Sequence, residues 1–318
     1  MVDSDLEPPA ESTFDCGVAR PVVVGRVGTF APADGIEFAG QSVLNVTSHL
    51  NALGFDPLLV TRIGNDIEGH QVLRFLESAG VSTRAIQIDR SLPTFDRVSQ
   101  GGRCDEPRCA WQALQPKPAV DAMQREENSL VYHGVTAAES DLIQEVLNTI
   151  QTRTGMPFFV DVDLDRRSLP LRTVRRALLG VTWVRTEADL LPLLNEHREH
   201  GHNSVLSDAR AVQARFALEG VVADRHGLPL VAVSGSRMAQ PTVSPATDTT
   251  FLPGGRDAAA AALIAGVILG WSEDVMIDRA VQFAFLAGGS ALAQGVDANV
   301  YTIVQRHWQG REVKAARS

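Results

Sequence analysis

Short apolar runs alternate with amphipathic stretches along most of this chain, and that alternation narrows the folds open to it. PVVVG (21–25), PLLVTRIG (57–64), SLVYHG (129–134), PFFVDVD (157–163) and VTWVR (181–185) read as buried strands. A helix is expected from about Ser42, with Val43, Leu44, Val46, Leu50 and Leu53 on its apolar face and a stop at Gly54. Others are expected from Ile67 to Ala79 before Gly80, from Ser140 to Thr152, and around Val205 to Leu218. VVAD (221–224) and LPLVAV (228–233) suit the two arms of a hairpin. From Asp257 onward the pattern is mainly helical, broken near Gly270–Glu273 and near Gly295. Strands alternating with helices over this length indicate an α/β protein, a sheet covered on both faces. Such sheets bind ligands beyond the carboxyl ends of their strands.

The segment from about Arg84 to Leu114 departs from this rhythm, with short alternating stretches and then the polar SQGGRCDEPR (99–108). It reads as edge or lid-like sheet plus a loop. The expected organisation is a tail over 1–19, one α/β domain over 20–308 with lid-like segments near 30–40 and 84–114, and a polar tail over 309–318. A net charge of -9 and a pI near 5.4 repel polyanions, and no dense Lys/Arg stripe interrupts that field, so no nucleic-acid partner is expected. Three cysteines, Cys16, Cys104 and Cys109, are too few for a disulfide framework, and CDEPRC offers a metal only two thiolates. The first sixteen residues lack an apolar signal core, and no apolar run reaches membrane-spanning length. A soluble cytoplasmic protein with no membrane partner is the expectation.

TDTTFLPGGRDAAAAALIAGVILG (247–270) carries the densest chemistry. Gly254 and Gly255 stand directly before a helix start, where unpaired amides and the helix dipole favour an anion. Arg256 adds a fork that suits phosphate, and Asp257, on the first turn, is placed to accept a proton from an attacking hydroxyl. The same residues also suit a plain cap: aspartate is a good N-terminal residue and Gly-Gly a tight turn. The alanine-rich run is apolar nearly all round and is expected to be buried. DVDLDRR (161–167) and TEAD (186–189) either offer carboxylates to a cation or substrate, or simply end a strand and cap a helix. The eight histidines show no metal-ligand spacing, and HREHGH (197–202) reads as an exposed helix end. No GxSxG elbow, Walker A motif or GxGxxG fingerprint is present.

Taken in order, these blocks resemble the ribokinase/PfkB family of carbohydrate and nucleoside kinases. AGQSVLNVTSHLNALG (39–54) resembles the family's glycine-rich, asparagine-containing substrate segment. RIGNDIEGHQVLRFLESAGV (62–81) is similar to its Gly-x-Asp-x-x-Gly block through Gly64, Asp66 and Gly69, PFFVDVDLDRR (157–167) to a later strand and turn, and DTTFLPGGRD (248–257) to its carboxyl-terminal signature. The resemblance runs over roughly residues 20–305. It implies a three-layer α/β/α sandwich with a mostly parallel central sheet and a small, here reduced, β lid. It also implies a kinase using ATP and Mg2+ on a hydroxyl of a small, sugar-like substrate. On this reading Asp257 is the base, Gly254 and Gly255 build the anion hole with Arg256 beside them, and Asp248, Thr249 and Gly227 lie at the nucleotide. Glu187 and Asp189 associate with magnesium, Glu187 also bordering the nucleotide. Asn45 and Gly40 lie on the substrate side, with Asp34 standing in for the family's sugar-binding aspartate. Family lids often take part in dimers, so a homodimer is a further implication, although the first lid segment is short.

The departures are specific. Phe251, Leu252 and Pro253 interrupt the signature, and Arg256 stands where the family has the last glycine before the aspartate. Thr186 replaces the asparagine of the magnesium-associated pattern, and VVADRHG (221–227) keeps only Gly227 of the nucleotide loop's three marked residues. Two functions therefore stand side by side: a carbohydrate kinase, and a ribokinase-like protein that binds a sugar, nucleotide or protein partner without turnover.

Overall fold

The structure, a computed structural model, describes residues 20–30, 37–39, 41–96, 109–124, 128–138, 140–162, 170–195, 204–226, 228–242, 254–290 and 293–315. Its main sheet has nine strands. In chain order they are β1 (Arg20–Val24), β4 (Leu58–Gly64), β5 (Ile86–Asp89), β7 (Asn128–Gly134), β8 (Phe158–Val162), β9 (Trp183–Glu187), β10 (Gly220–Arg225), β11 (Leu228–Ser234) and β12 (Arg237–Ala239). The spatial order is β12-β11-β10-β9-β8-β7-β1-β4-β5. From β10 to β5 every pairing is parallel, and only the β10–β11 and β11–β12 pairings are antiparallel. The expected hairpin is the β10–β11 pair.

The strand sequences explain the layering, because successive side chains point to opposite faces. Val23, Leu59, Phe159, Trp183 and Val222 face a core shared with α1 (Gln41–Ala52), α2 (Ile67–Ser78), α8 (Gly255–Leu269), α9 (Glu273–Ala287) and α10 (Ala298–Ala315). Val22, Val24, Val60, Val131, Val160 and Val184 face the other core. That second layer comprises α3 (Pro116–Gln124), α4 (Asp141–Thr154), α5 (Leu171–Ala177), α6 (Leu191–Asn195) and α7 (Val205–Phe216). The strands read as continuous apolar runs because both faces are covered. The result is a three-layer α/β/α sandwich. Its last helix runs on to Ala315, into the stretch expected to be a tail. That helix is fixed partly by Arg279 of α9, whose guanidinium lies 4.1 Å from the Trp271 ring and donates to the Trp308 carbonyl at 2.6 Å.

The segment with the broken rhythm divides between two sheets. Its first strand, β5, extends the main sheet beside β4, while β6 (Phe95–Asp96) joins a small sheet with β2 (Gly28–Phe30) and β3 (Glu37–Ala39). The Gly-x-Asp-x-x-Gly block ties the two together. Asp66 caps α2 through the Gly69 amide (2.8 Å) and also accepts from the Thr94 amide and hydroxyl (both 2.6 Å), just before β6. A β-carbon at Gly69 would overlap the Gly64 carbonyl, so the tight approach requires glycine there. Residues 97–108, with Cys104, lie outside the described residues, as do 1–19 and the HREHGH stretch. Cys109 is a buried thiol.

Two buried histidines, His49 and His133, make the core pH-sensitive, and burial lowers the pKa of His49 further. His49, on α1, is buried against Phe283 and Tyr301, and burial lowers its pKa to about 3. The folded value lies below the ordinary 6.5, so the contribution of His49 to stability is full above that value and declines as pH falls. Relative to a His49→Phe variant, the parent should lose about 1.4 kcal/mol per pH unit between roughly pH 6 and 4, read from urea unfolding at each pH. Parallel stability curves for the two proteins would contradict this.

Candidate functional site

The strand register gathers charge at one point. Asp161 of β8 pairs with Arg185 of β9, and Glu187 of β9 with Asp224 of β10, all at the carboxyl ends of their strands. By strand alternation these four side chains share the sheet face that carries Phe159, Trp183 and Val222, the face covered by α8. The first turn of α8 comes down onto them. All four, together with Arg256 and Asp257, are buried.

Arg185 is the centre of the cluster and is fully buried. Its Nε and Nη2 donate to Asp224 Oδ2 (2.7 and 2.6 Å) and its Nη1 to Asp161 Oδ2 (3.2 Å) and to the Arg256 carbonyl (2.9 Å). Arg256 turns its own guanidinium inward, with Nη2 2.5 Å from Asp161 Oδ1 and Nη1 3.6 Å from Glu187 Oε1. Asp161 also accepts from the Tyr132 hydroxyl (3.3 Å). Burial alone would push the Asp161 carboxyl up, but Arg256 and Arg185 outweigh it and hold the group below its ordinary value. Asp224 goes the other way, because burial pushes it up against the pull of Arg185.

Asp257 stands three residues inside the helix, after the N-cap Gly254, where a carboxylate is favoured by the helix dipole. Its Oδ2 accepts from Asn45 Nδ2 at 2.8 Å. Burial raises its pKa; hydrogen bonds from Asn45 and Ser42 and the charge of Arg256 pull it back, and Asp161 pushes it further up. A raised carboxyl beside a hydrogen-bond donor, at the carboxyl edge of the sheet, is suited to taking up a proton. Gly254 packs tightly on the turn after α9, since a β-carbon there would overlap the Ser290 carbonyl. The N-cap Gly254 has no side chain with which to cap the helix, and a helix start of this kind suits an anion such as phosphate. The eight residues from Ala258 to Ala265 are buried all round, as a small-residue helix lying close to a sheet requires.

The residues expected at the site fall into three groups. Gly254, Gly255, Arg256, Asp257 and Asn45 come together where α1 meets α8. Glu187 lies alongside Arg256 with Oε2 accepting the His226 amide at 3.2 Å, while Asp189 is exposed on the turn after β9. Asp34, Gly40, Gly227, Asp248, Thr249 and the Phe251–Pro253 insertion lie outside the described residues. Among the described residues no three His, Cys, Asp or Glu side chains form a metal-ligand group. A magnesium ion carried on a nucleotide needs only one or two carboxylates, a role Glu187 and Asp189 fit by residue type.

Arg185, Asp224 and Tyr132 escaped the sequence reading. A signal was present: Arg185 and Asp224 close the apolar runs VTWVR and VVAD with opposite charges, and a charge ending a buried strand needs a partner.

No family model matches the sequence, and no curated protein matches it. Solved structures do match. A protein from E. coli assigned as ribokinase II, solved in complex with ATP and Mg2+, superposes with a TM-score of 0.67 at 15% identity, covering 91% of this chain and 100% of its own. A PfkB family carbohydrate kinase from Listeria grayi gives 0.68 at 14% identity, over 90% of this chain and 99% of its own. Aminoimidazole riboside kinase from Salmonella enterica gives 0.63 at 14% identity, over 89% and 95%. At such identities the likeness establishes the fold: the chain has the ribokinase-like α/β/α architecture.

Proposed function

We propose that this ribokinase-like chain is a divergent member of the ribokinase/PfkB family, an ATP-dependent phosphotransferase acting on a hydroxyl of a small carbohydrate or related compound. The observation that carries the reading is Asp257, a buried carboxylate with a raised pKa on the first turn of α8 behind a glycine N-cap, held by Asn45. Asp257 takes the proton of the acceptor hydroxyl. The amides of Gly254 and Gly255 face the developing negative charge, which preorganised donors stabilise without reorganisation. Arg256 holds the turn in place from behind: its guanidinium is engaged by Asp161 and Glu187, which offset its charge, so the anion-facing donors are the backbone amides. Asp248, Thr249 and Gly227 would border the nucleotide with Glu187, and Glu187 and Asp189 would attend its magnesium. Gly40, Asp34 and Asn45 would lie on the acceptor side. Bound MgATP supplies the transferable phosphoryl group and neutralises part of its charge.

A second reading, a protein of this fold that binds a sugar, nucleotide or protein partner without turnover, has its own support. Arg256 stands in place of the family's glycine and is held between two carboxylates. Incubation of the full chain with MgATP and a panel of sugars and nucleosides, followed by mass spectrometry, separates the two. A phosphorylated product is expected for at least one acceptor. Product from Arg256→Gly but none from the parent would favour the second reading, and no product from either would remove the first.

A further inference from the structure

Asn45 is fully buried on α1, and both ends of its carboxamide are engaged within the protein. Nδ2 donates to Asp257 Oδ2 at 2.8 Å, and Oδ1 accepts from the Ala293 amide at 3.0 Å. The backbone N–H of Ala293 is a donor, so the atom facing it must be the oxygen. That leaves the amide nitrogen, with its protons, facing Asp257. The turn that fixes this orientation is itself anchored. The Tyr301 hydroxyl donates to the Ala293 carbonyl at 3.2 Å and lies 2.9 Å from His49 Nδ1. A hydroxyl has one proton, so with that proton on the Ala293 carbonyl it is the His49 Nδ1–H that donates to Tyr301.

We propose that Asn45 is a positioning residue for Asp257: its carboxamide, locked by the Ala293 amide, aims a hydrogen-bond donor at the base and holds its carboxylate on one line. This rests on the reading of Asp257 as general base, and it assigns Asn45 a role other than direct acceptor binding. The other groups acting on Asp257 are Ser42 on α1, Tyr132 on β7, Asp161 on β8 and Arg256 on α8 itself, with Arg185 on β9 and Asp224 on β10 one step further out, Arg185 bonded to both Asp161 and Asp224. Of these, Ser42 donates a hydrogen bond to Asp257 alongside Asn45. Asn45 adds what a hydroxyl rotor does not, a planar donor whose direction is set from behind.

Asn45→Asp is the decisive variant. It keeps an oxygen for the Ala293 amide but puts a second carboxyl oxygen against Asp257, and two carboxylates in contact cannot both ionise easily. The Asp257 carboxyl carbon, followed by 13C NMR in the full chain and identified by its loss in Asp257→Asn, should titrate at least about one unit higher in Asn45→Asp than in the parent. Asn45→Ala, which adds no charge, should move it upward by less. In turnover assays both variants should lose kcat by about tenfold or more at neutral pH, with KM for the acceptor within about threefold of the parent. The proposal is overturned by an Asp257 titration that neither variant moves, or by a raised acceptor KM at unchanged kcat, the signature of a substrate ligand. Should the parent phosphorylate no acceptor, the kinase reading fails while the carboxyl titration still decides the role of Asn45.

Discussion

Asp257→Asn is expected to lower phosphoryl transfer by about 10²- to 10⁴-fold, with the protein at least as stable as the parent. The amide keeps the size of the carboxyl and can still meet Asn45 through its oxygen, so the packing of α1 on α8 is preserved. What it loses is the ability to accept the acceptor's proton. The stability side follows from the same burial. The folded pKa of Asp257 is raised above 3.8, so the group favours folding only while protonated, and that contribution is lost as pH rises through the folded value. At neutral pH the ionised carboxyl is therefore a cost that the amide removes. The activity of the parent should fall on acidification along a limb lying above the ordinary carboxylate value, and the residual rate of the variant should lack that limb. Steady-state rates against pH, alongside urea unfolding of both proteins, provide the comparison. A variant with the parent's rate would show that Asp257 is not the base.

The architecture was legible because it is written in short-range patterns. Apolar strands such as PVVVG and PFFVDVD announced a sheet covered on both faces, and Gly54, Gly80 and Gly270 all take left-handed φ values at the ends of helices or the turns just after them. The site was legible only where its residues sit next to one another in sequence. Gly254 to Asp257 could be read as an anion-binding helix start because four neighbours carry the whole pattern. The direction of Arg256 could not, since a phosphate clamp and an inward ion pair need the same residue type. Its direction is set by Asp161, 95 residues earlier, and by Glu187, which reach it only through the parallel register of β8 and β9. Asn45 shows the same limit. The family resemblance gave it only an expected place on the substrate side, whereas its hold on Asp257 spans 212 residues and depends on how α1 packs on α8. The division of 84–114 between two sheets likewise hangs on Asp66 reaching Thr94.

That register also makes the charge cluster a unit, and Arg185→Met should destabilise the protein by about 3–5 kcal/mol. Methionine fills much of the arginine's volume, so the loss is electrostatic. Asp224, deep in the core and bonded twice to Arg185, is already pushed up to about 6 by burial and would lose the cation that pulls it back, so it must take up a proton or bear an unpaired buried charge. Asp161 suffers less, because Arg256 and Tyr132 still reach it. Removing both members of the pair, in Arg185→Met with Asp224→Leu, should recover most of the loss and bring stability within about 1 kcal/mol of the parent, because replacing a whole buried pair by apolar groups is often neutral. Acid should help the single variant in the same way. A protonated Asp224 no longer needs a cation, so the deficit of Arg185→Met should shrink as pH falls, whereas the double variant should show no such recovery. The double variant also removes the donor to the Arg256 carbonyl, so its activity should fall even where its stability returns. Urea unfolding at several pH values decides the matter: a double variant as unstable as the single one would mean that Arg185 holds the core by packing rather than by charge.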